Sequence, residues 1–224
     1  MSDRWPGDEA EALELDEEPV VEADEPAESD LGELEDEAEA EPEDEEPIPR
    51  LRAPGQHAEG ELDIPDDVSL LEGEPDGTRR GVAIVASRFN GEITNRLLES
   101  ALEELDRLGV RRGAVTIMPV PGAFELPLAA MALAKTRRFA CVVALGCVVR
   151  GETPHFGYIA SEAASGLQLA ALETGVPVAF GVLTLENVEQ AEARIEKGAE
   201  AVRTALEMAD AFAQLRASAV QAAR

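Results

Sequence analysis

Four short apolar runs, separated by stretches with helical periodicity, set the strongest constraint on how this chain can fold. The runs cover residues 82–86, 114–120, 140–149 and 178–183. Continuous apolar strands of this kind, without the alternation of a half-exposed strand, are typical of parallel sheets covered on both faces. The sequence therefore predicts an α/β fold with three layers (α/β/α) around a parallel four-stranded sheet of the flavodoxin-like type.

The stretches between these runs predict the helices of the two outer layers. Apolar residues recur on one helical face from Ile93 to Leu108, and Gly109 supplies a stop. Two further helical stretches are predicted over residues 124–135 and 156–174, and one or two final helices are predicted over residues 187–215. A short edge strand is predicted over residues 68–71. Connections between the parallel strands are expected to be right-handed.

The net charge of the chain is confined to its first third. Residues 1–78 carry 31 acidic and three basic residues, whereas residues 79–224 carry 16 of each. Residues 7–49 are mostly Asp, Glu, Ala and Pro, and such a segment buries too little apolar surface to offset an ordering cost of about 1–2 kcal/mol per residue. We therefore predict a disordered acidic extension over residues 1–67 and one folded domain over residues 68–224.

Two roles are open for the acidic extension. Long blocks of like charge usually act as solvated tails or as interaction tails. The simpler hypothesis is a solubilising tail. The alternative is a docking arm for a basic partner or cargo.

The remaining sequence disfavours several classes of protein. No run approaches the ~18–20 apolar residues of a membrane span, and the N-terminus lacks the pattern of a secretory signal, so we expect a cytoplasmic protein without membrane contact. The two cysteines, Cys141 and Cys147, lie in one predicted strand, too far apart for a disulfide and without metal-ligand spacing. Nucleic-acid binding is not expected either, because the extension repels phosphate and the domain carries no basic stripe.

Sheet topology points to the place of a ligand site, because ligands of open parallel sheets bind outside the carboxyl ends of the strands. Four loops follow the predicted strands, at residues 87–91, 121–125, 150–155 and 184–187. They hold the only histidine of the domain, His155, as well as Phe89, Phe124 and Glu125. A histidine can transfer protons near neutral pH, an aromatic ring can stack on a flat ligand, and a loop before a helix can bind an anion. Each feature also has a structural explanation, and none is specific alone.

Five motifs follow one another along the predicted domain. They are Ser87–Asn90, Val120–Pro127, Ala144–His155, Pro177–Thr184 and Glu186–Arg194. In their order and spacing they resemble the lumazine synthase family, over about residues 69–215. The resemblance implies a cofactor-free and metal-free condensation of 5-amino-6-(D-ribitylamino)uracil with 3,4-dihydroxy-2-butanone 4-phosphate. The product would be 6,7-dimethyl-8-ribityllumazine, formed in the penultimate step of riboflavin biosynthesis. Members form homo-oligomers, namely pentamers and in many cases sixty-subunit shells.

The resemblance also implies roles for individual residues. For the ribitylaminouracil it implies Phe89, Asn90, Ala123, Phe124, Glu125, Cys147, Val148, Val149 and Phe180. The ring of Phe89 would stack on the pyrimidine, and Phe180 would close the pocket from a neighbouring subunit. For the butanone phosphate it implies Glu152, Thr153 and Arg194, with Lys197 as a further candidate. His155 would transfer protons during phosphate loss and ring closure.

One departure from the family keeps another hypothesis open. The segment Arg194–Gly198 is several residues shorter than in typical members. This favours a catalytically weak shell or scaffold protein of the same fold, whose acidic extension recruits a partner such as a basic cargo or riboflavin synthase. Another possibility is a pentameric riboflavin synthase of the archaeal kind, which the Gly-Glu-Thr-Pro-His sequence ending at His155 fits less well.

Overall fold

The computed structural model describes residues 63, 65 and 67–222, so that most of the predicted acidic extension over residues 1–67 lies outside the described residues. The sheet has four parallel strands in the order β2-β1-β3-β4. Their bounds are β1 Val82–Ser87, β2 Val115–Val120, β3 Cys141–Val149 and β4 Val178–Leu185. This arrangement confirms the predicted α/β fold with a parallel four-stranded sheet.

Helices cover both faces of the sheet. They are α1 Gly91–Arg107, α2 Leu126–Lys135, α3 His155–Thr174 and α4 Lys197–Ala222. Helices α1 and α4 pack together on one face, and α2 and α3 pack together on the other. Successive residues of β1 face opposite layers: Val82 and Ile84 belong to the core under α1 and α4, whereas Ala83 and Val85 belong to the core under α2 and α3. All four are fully buried, which explains the continuous apolar run.

The predicted edge strand at residues 68–71 is wrong. No strand forms there, and the three large apolar side chains of the segment are at least half exposed. The chain that follows is held by helices instead of by a sheet edge. Gln214 of α4 donates to the Glu72 carbonyl at 2.9 Å, and the Gly77 N–H donates to the Leu108 carbonyl at 2.9 Å. An apolar run becomes a strand only where it can pair, and no described edge pairs with this one.

Residues 187–215, predicted to form one or two helices, belong to two helices. A 3₁₀ helix spans Val188–Arg194, and α4 begins at Lys197. Asn187 starts the 3₁₀ helix by accepting the Gln190 N–H on its side-chain oxygen at 3.2 Å. Gly198 then lies so close to α1 that a Cβ atom would come within 2.2 Å of the Leu97 carbonyl oxygen. The junction therefore needs glycine at this position.

A buried carboxylate joins α1 to α4 on the face opposite α2 and α3. Glu104 accepts two hydrogen bonds from Arg107, at 2.7 and 2.5 Å, and one from Arg203 of α4 at 2.9 Å. These arginines lower the pKa of Glu104, the bond from Arg107 being the largest cause. The carboxylate therefore stabilises the fold while it is ionised.

We expect Glu104→Gln to lower the free energy of unfolding by about 1–2 kcal/mol at neutral pH, because its arginine partners are partly exposed. A depressed pKa contributes stability above the pKa of the unfolded carboxyl, and that contribution is lost as pH falls through the folded value. Urea unfolding at pH 7 and in acid measures both effects. Glu103→Gln, at the exposed neighbouring position, is the control. An equal loss of stability at both pH values would contradict this role.

Candidate functional site

A cleft of about 710 Å³ opens at the carboxyl end of the sheet, on the side covered by α2 and α3. It is lined by residues that follow β1 and β2, by the end of β3 and by the first turn of α3. The lining residues are Phe89, Asn90, Gly122, Ala123, Phe124, Glu125, Cys147, Val148, Val149, Gly151, Thr153, His155, Phe156, Tyr158 and Ile159. This is the place where an open parallel sheet binds its ligand.

The loop after β1 presents an aromatic ring to the cleft from a fixed backbone. Asn90 adopts a left-handed conformation with φ 56°, which asparagine tolerates better than most residues. Its side-chain amide donates to the Cys147 carbonyl of β3 at 2.9 Å, and the Phe89 N–H donates to the Pro121 carbonyl at 3.0 Å. The Phe89 side chain remains 70% exposed. The ring is therefore free to stack on a flat ligand.

The turn after β2 brings a carboxylate into the same cleft. A 3₁₀ turn spans Ala123–Glu125 immediately before α2. The Glu125 Oε2 atom accepts the Gly122 N–H at 2.8 Å, whereas Oε1 has no hydrogen-bond partner among the described residues. The carboxylate is thus oriented by its own backbone while one oxygen stays available. That oxygen can accept hydrogen bonds from the hydroxyl groups of a ligand.

The start of α3 forms the third wall of the cleft. The helix begins at His155 after Pro154, and no side chain caps its first N–H groups. Such N–H groups, together with the helix dipole, bind anions. The His155 side chain is exposed and makes no hydrogen bond with the described part of the chain, and Thr153 lines the cleft beside it. This wall therefore combines an anion-binding backbone with a group that can transfer protons.

The floor of the cleft offers no nucleophile. Burial raises the pKa of the Cys147 thiol to about 11. The thiol stays protonated near neutral pH, and a protonated thiol is a poor nucleophile. Cys147, like Val148 and Val149 beside it, therefore lines the cleft without supplying a reactive group.

A family model identifies the class of protein that carries this cleft. The model of 6,7-dimethyl-8-ribityllumazine synthase matches residues 80–213, which include all four strands and every residue of the cleft. The chain belongs to the lumazine synthase family. Membership supports a function of the lumazine synthase type in riboflavin biosynthesis. The acidic part of the chain before residue 79 lies outside the match.

Four of the residues that the lumazine synthase motifs imply do not line the cleft. They are Glu152, Phe180, Arg194 and Lys197. Glu152 is exposed in the loop next to the cleft. The Arg194 guanidinium donates to the Gln190 carbonyl at 2.8 Å, and the Lys197 ammonium lies 2.5 Å from the Glu200 carboxylate.

Strand register explains the position of Phe180. It pairs with Ala144 in the middle of the sheet, whereas the cleft residue Val148 pairs with Thr184. At about 3.3 Å per residue, Phe180 lies roughly 13 Å along the sheet from the wall of the cleft. Its side chain is half exposed on the edge strand β4. It therefore lies too far away to close this cleft.

The sequence motifs did not indicate three apolar residues of the cleft, Phe156, Tyr158 and Ile159. His155 and Ile159 are separated by one helical turn, and this spacing places them on one face of α3. The sequence contains that signal, but periodicity alone does not tell which face of α3 looks into the cleft.

None of the described helices is long and apolar enough to cross a membrane. The same part of the chain brings together no group of three or more His, Cys, Asp or Glu side chains that could hold a metal ion.

Proposed function

We propose that the chain condenses 5-amino-6-(D-ribitylamino)uracil with 3,4-dihydroxy-2-butanone 4-phosphate to give 6,7-dimethyl-8-ribityllumazine, inorganic phosphate and two molecules of water. The observation that carries the proposal is the convergence of three groups on one cleft. The cleft is lined by the exposed aromatic ring of Phe89, by the Glu125 carboxylate with one oxygen available, and by the uncapped start of α3 with His155. These groups match the flat ring, the polyol chain and the phosphate of the two substrates.

The pyrimidine is proposed to stack on Phe89 and to bond along its edge with backbone groups of Cys147–Val149. Its ribityl hydroxyls donate to the free oxygen of Glu125, with Asn90, Ala123 and Phe124 shaping that side of the cleft. The butanone phosphate binds at the N-terminus of α3 and the loop residues Glu152 and Thr153, where backbone N–H groups are available.

The proposed chemistry depends mainly on positioning. The amine of one substrate attacks the ketone of the other, and a Schiff base forms with loss of water. Holding two reactants in place can lower a barrier by about 7–11 kcal/mol. His155 then moves a proton during elimination of phosphate and during ring closure, in which the ribityl-bearing amine attacks the carbonyl that forms after phosphate leaves and a second water is lost. General acid–base help of this kind usually raises the rate by about 10²–10⁴-fold. This scheme uses neither a metal ion nor an organic cofactor.

We further propose that each complete site lies between two subunits of a homo-oligomer. Phe180, Arg194 and Lys197 then belong to the cleft of the neighbour, with Arg194 paired to the substrate phosphate. Several large apolar side chains are exposed on α2, α3 and β4, namely Leu128, Leu169, Leu172 and Phe180. Exposed large apolar side chains are typical of an interface. A pentamer, alone or as part of a sixty-subunit shell, is the assembly that the family resemblance implies.

Turnover with the two substrates tests the proposed function. Purified protein is mixed with both compounds, and the absorbance and fluorescence of the lumazine product are followed. Reactions that lack one substrate, and reactions without protein, give the uncatalysed background. Product formation well above that background is expected. A rate equal to the background with correctly assembled protein would overturn the proposed function.

A scaffold role is the second candidate, and the compact segment Arg194–Gly198 favours it. Lys197 is paired with Glu200, and Gly198 is packed against the backbone of α1, so this segment has little freedom to reach a ligand. In that case the protein assembles but releases no lumazine. The same turnover assay, combined with measurement of the assembled mass, separates the two candidates.

Deletion of residues 1–66 is expected to change kcat and both KM values by less than about twofold, because every residue of the cleft follows residue 88. Steady-state kinetics of the shortened and full-length proteins measure this. The assembled mass of both proteins serves as the control. A large loss of turnover with unchanged assembly would show that the extension contributes to the site.

A further inference from the structure

Arg150 begins the loop that the proposed function assigns to phosphate binding, and its side chain pairs with Glu186 in the loop after β4, but it does not line the cleft. It follows β3 directly, and its backbone N–H donates to the Leu185 carbonyl at 2.8 Å. The guanidinium forms a two-pronged pair with Glu186: Nε lies 2.5 Å from Oε2 and Nη2 lies 3.0 Å from Oε1. Paired bonds of this kind fix orientation as well as distance.

The same guanidinium lies over the aromatic ring of Phe156. The Cζ atom of Arg150 lies 4.3 Å from the centroid of the Phe156 ring, within the range of a cation–π contact. Phe156 lines the cleft, packs against the core under α2 and α3, and follows His155 directly. The first turn of α3 is thus held between the core on one side and Arg150 on the other.

Glu186 is connected to Arg194 through Gln190 by two hydrogen bonds. Its backbone N–H donates to the Gln190 side-chain oxygen at 2.9 Å, and the Gln190 carbonyl accepts a bond from the Arg194 guanidinium at 2.8 Å. A continuous set of contacts therefore runs from Phe156 through Arg150, Glu186 and Gln190 to Arg194. One end borders the cleft of the same subunit, and the other end carries the cation proposed to enter the neighbouring cleft.

We infer that Arg150 is a positioning residue: it holds the α3 turn with His155 in its own cleft and, through Glu186 and Gln190, orients Arg194 for the cleft of the neighbour. The inference rests on the proposed function, which supplies the roles of His155 and Arg194. Both members of the Arg150–Glu186 pair are about half exposed, and such pairs contribute little to overall stability. The geometry points to orientation of the two loops as the effect of the pair.

Kinetics of Arg150→Met test this role, because methionine keeps an apolar side chain and removes the guanidinium. We expect kcat/KM for the butanone phosphate to fall by about 10–100-fold, since a small misplacement of reacting groups is enough for such a loss. The KM for ribitylaminouracil is expected to stay within about twofold, because Phe89 and Glu125 are held by other contacts. Arg150→Lys is expected to recover part of the loss, since lysine keeps the charge without the two-pronged geometry.

Arg112→Met is the matched control. Arg112 forms an exposed ion pair with Asp106 just before β2, at the opposite end of the sheet. Its replacement is expected to leave all kinetic constants within about twofold. Unchanged constants in Arg150→Met would overturn the inference. The inference would also be overturned if kcat/KM fell equally for both substrates, if the unfolding temperature fell with it, and if Arg150→Lys recovered none of the loss.

A second measurement keeps this inference separate from the proposed function. Hydrogen exchange of the backbone amides of Thr153 and of residues 155–157 is recorded with and without inorganic phosphate. We expect phosphate to protect these amides in the wild-type protein and to protect them much less in Arg150→Met. If the wild-type protein forms no lumazine but shows this difference, the proposed function fails and the positioning role of Arg150 stands. Equal protection in both proteins would contradict the positioning role.

Discussion

Replacement of His155 by Ala is expected to lower kcat for lumazine formation by about 10²–10⁴-fold, the usual contribution of a general acid or base. His155 is the one histidine that lines the cleft, and it starts α3 beside the proposed phosphate site. The KM for ribitylaminouracil is expected to change little, because Phe89, Asn90 and Glu125 are held by contacts that do not involve His155. Stopped-flow and steady-state absorbance of the product measure both constants.

Glu162→Ala is the control for this experiment. Glu162 lies on the same helix but is exposed outside the cleft, and its replacement is expected to leave turnover unchanged. If His155→Ala forms product as fast as the wild-type protein, proton transfer in this cleft does not depend on the imidazole. Substrate groups or water would then move the protons, and the role proposed for His155 would be wrong.

Replacement of Arg194 by Ala is expected to raise the KM for the butanone phosphate by about 10–100-fold, because a hydrogen bond to a charged group contributes about 1.5–3 kcal/mol. The effect on ribitylaminouracil is expected to be small, since that substrate carries no phosphate. Arg96→Ala is the control, because Arg96 pairs with Glu192 of the same 3₁₀ helix without being assigned a ligand. A KM for the butanone phosphate equal to that of the wild-type protein would show that Arg194 does not reach the phosphate.

Much of the fold could be predicted from the sequence because its main signals are local and consistent. The run at β1 is apolar throughout because both of its faces are buried, and Gly109 ends the first helical stretch as predicted. The sequence left open whether residues 187–215 form one helix or two, because the division depends on the Asn187 cap and on the packing of Gly198 against α1. The cap is local and the packing of Gly198 is tertiary, and helical periodicity encodes neither.

The positions of the loops in the cleft could be predicted from topology. The separation of Phe180 from the cleft could not. Parallel strands deliver their carboxyl ends to one edge, and this rule is enough to bring Phe89, Glu125 and His155 together. The distance of Phe180 from the cleft depends on the register of β4 against β3, which the sequence does not specify. The contacts of Arg150 depend likewise on the rotation of α3 and on the loop after β4.

Hybrid oligomers test most directly the claim that lumazine forms in clefts completed by a neighbouring subunit. His155→Ala and Arg194→Ala chains are produced together with different affinity tags, and assemblies that contain both are purified. In a ring of randomly placed subunits, about one quarter of the clefts then combine an intact His155 with an intact Arg194 from the neighbour. At a butanone phosphate concentration well below the KM of the Arg194→Ala variant, the predicted result is lumazine formation at about a quarter of the wild-type rate. A rate no higher than the sum of the two single variants would contradict the claim.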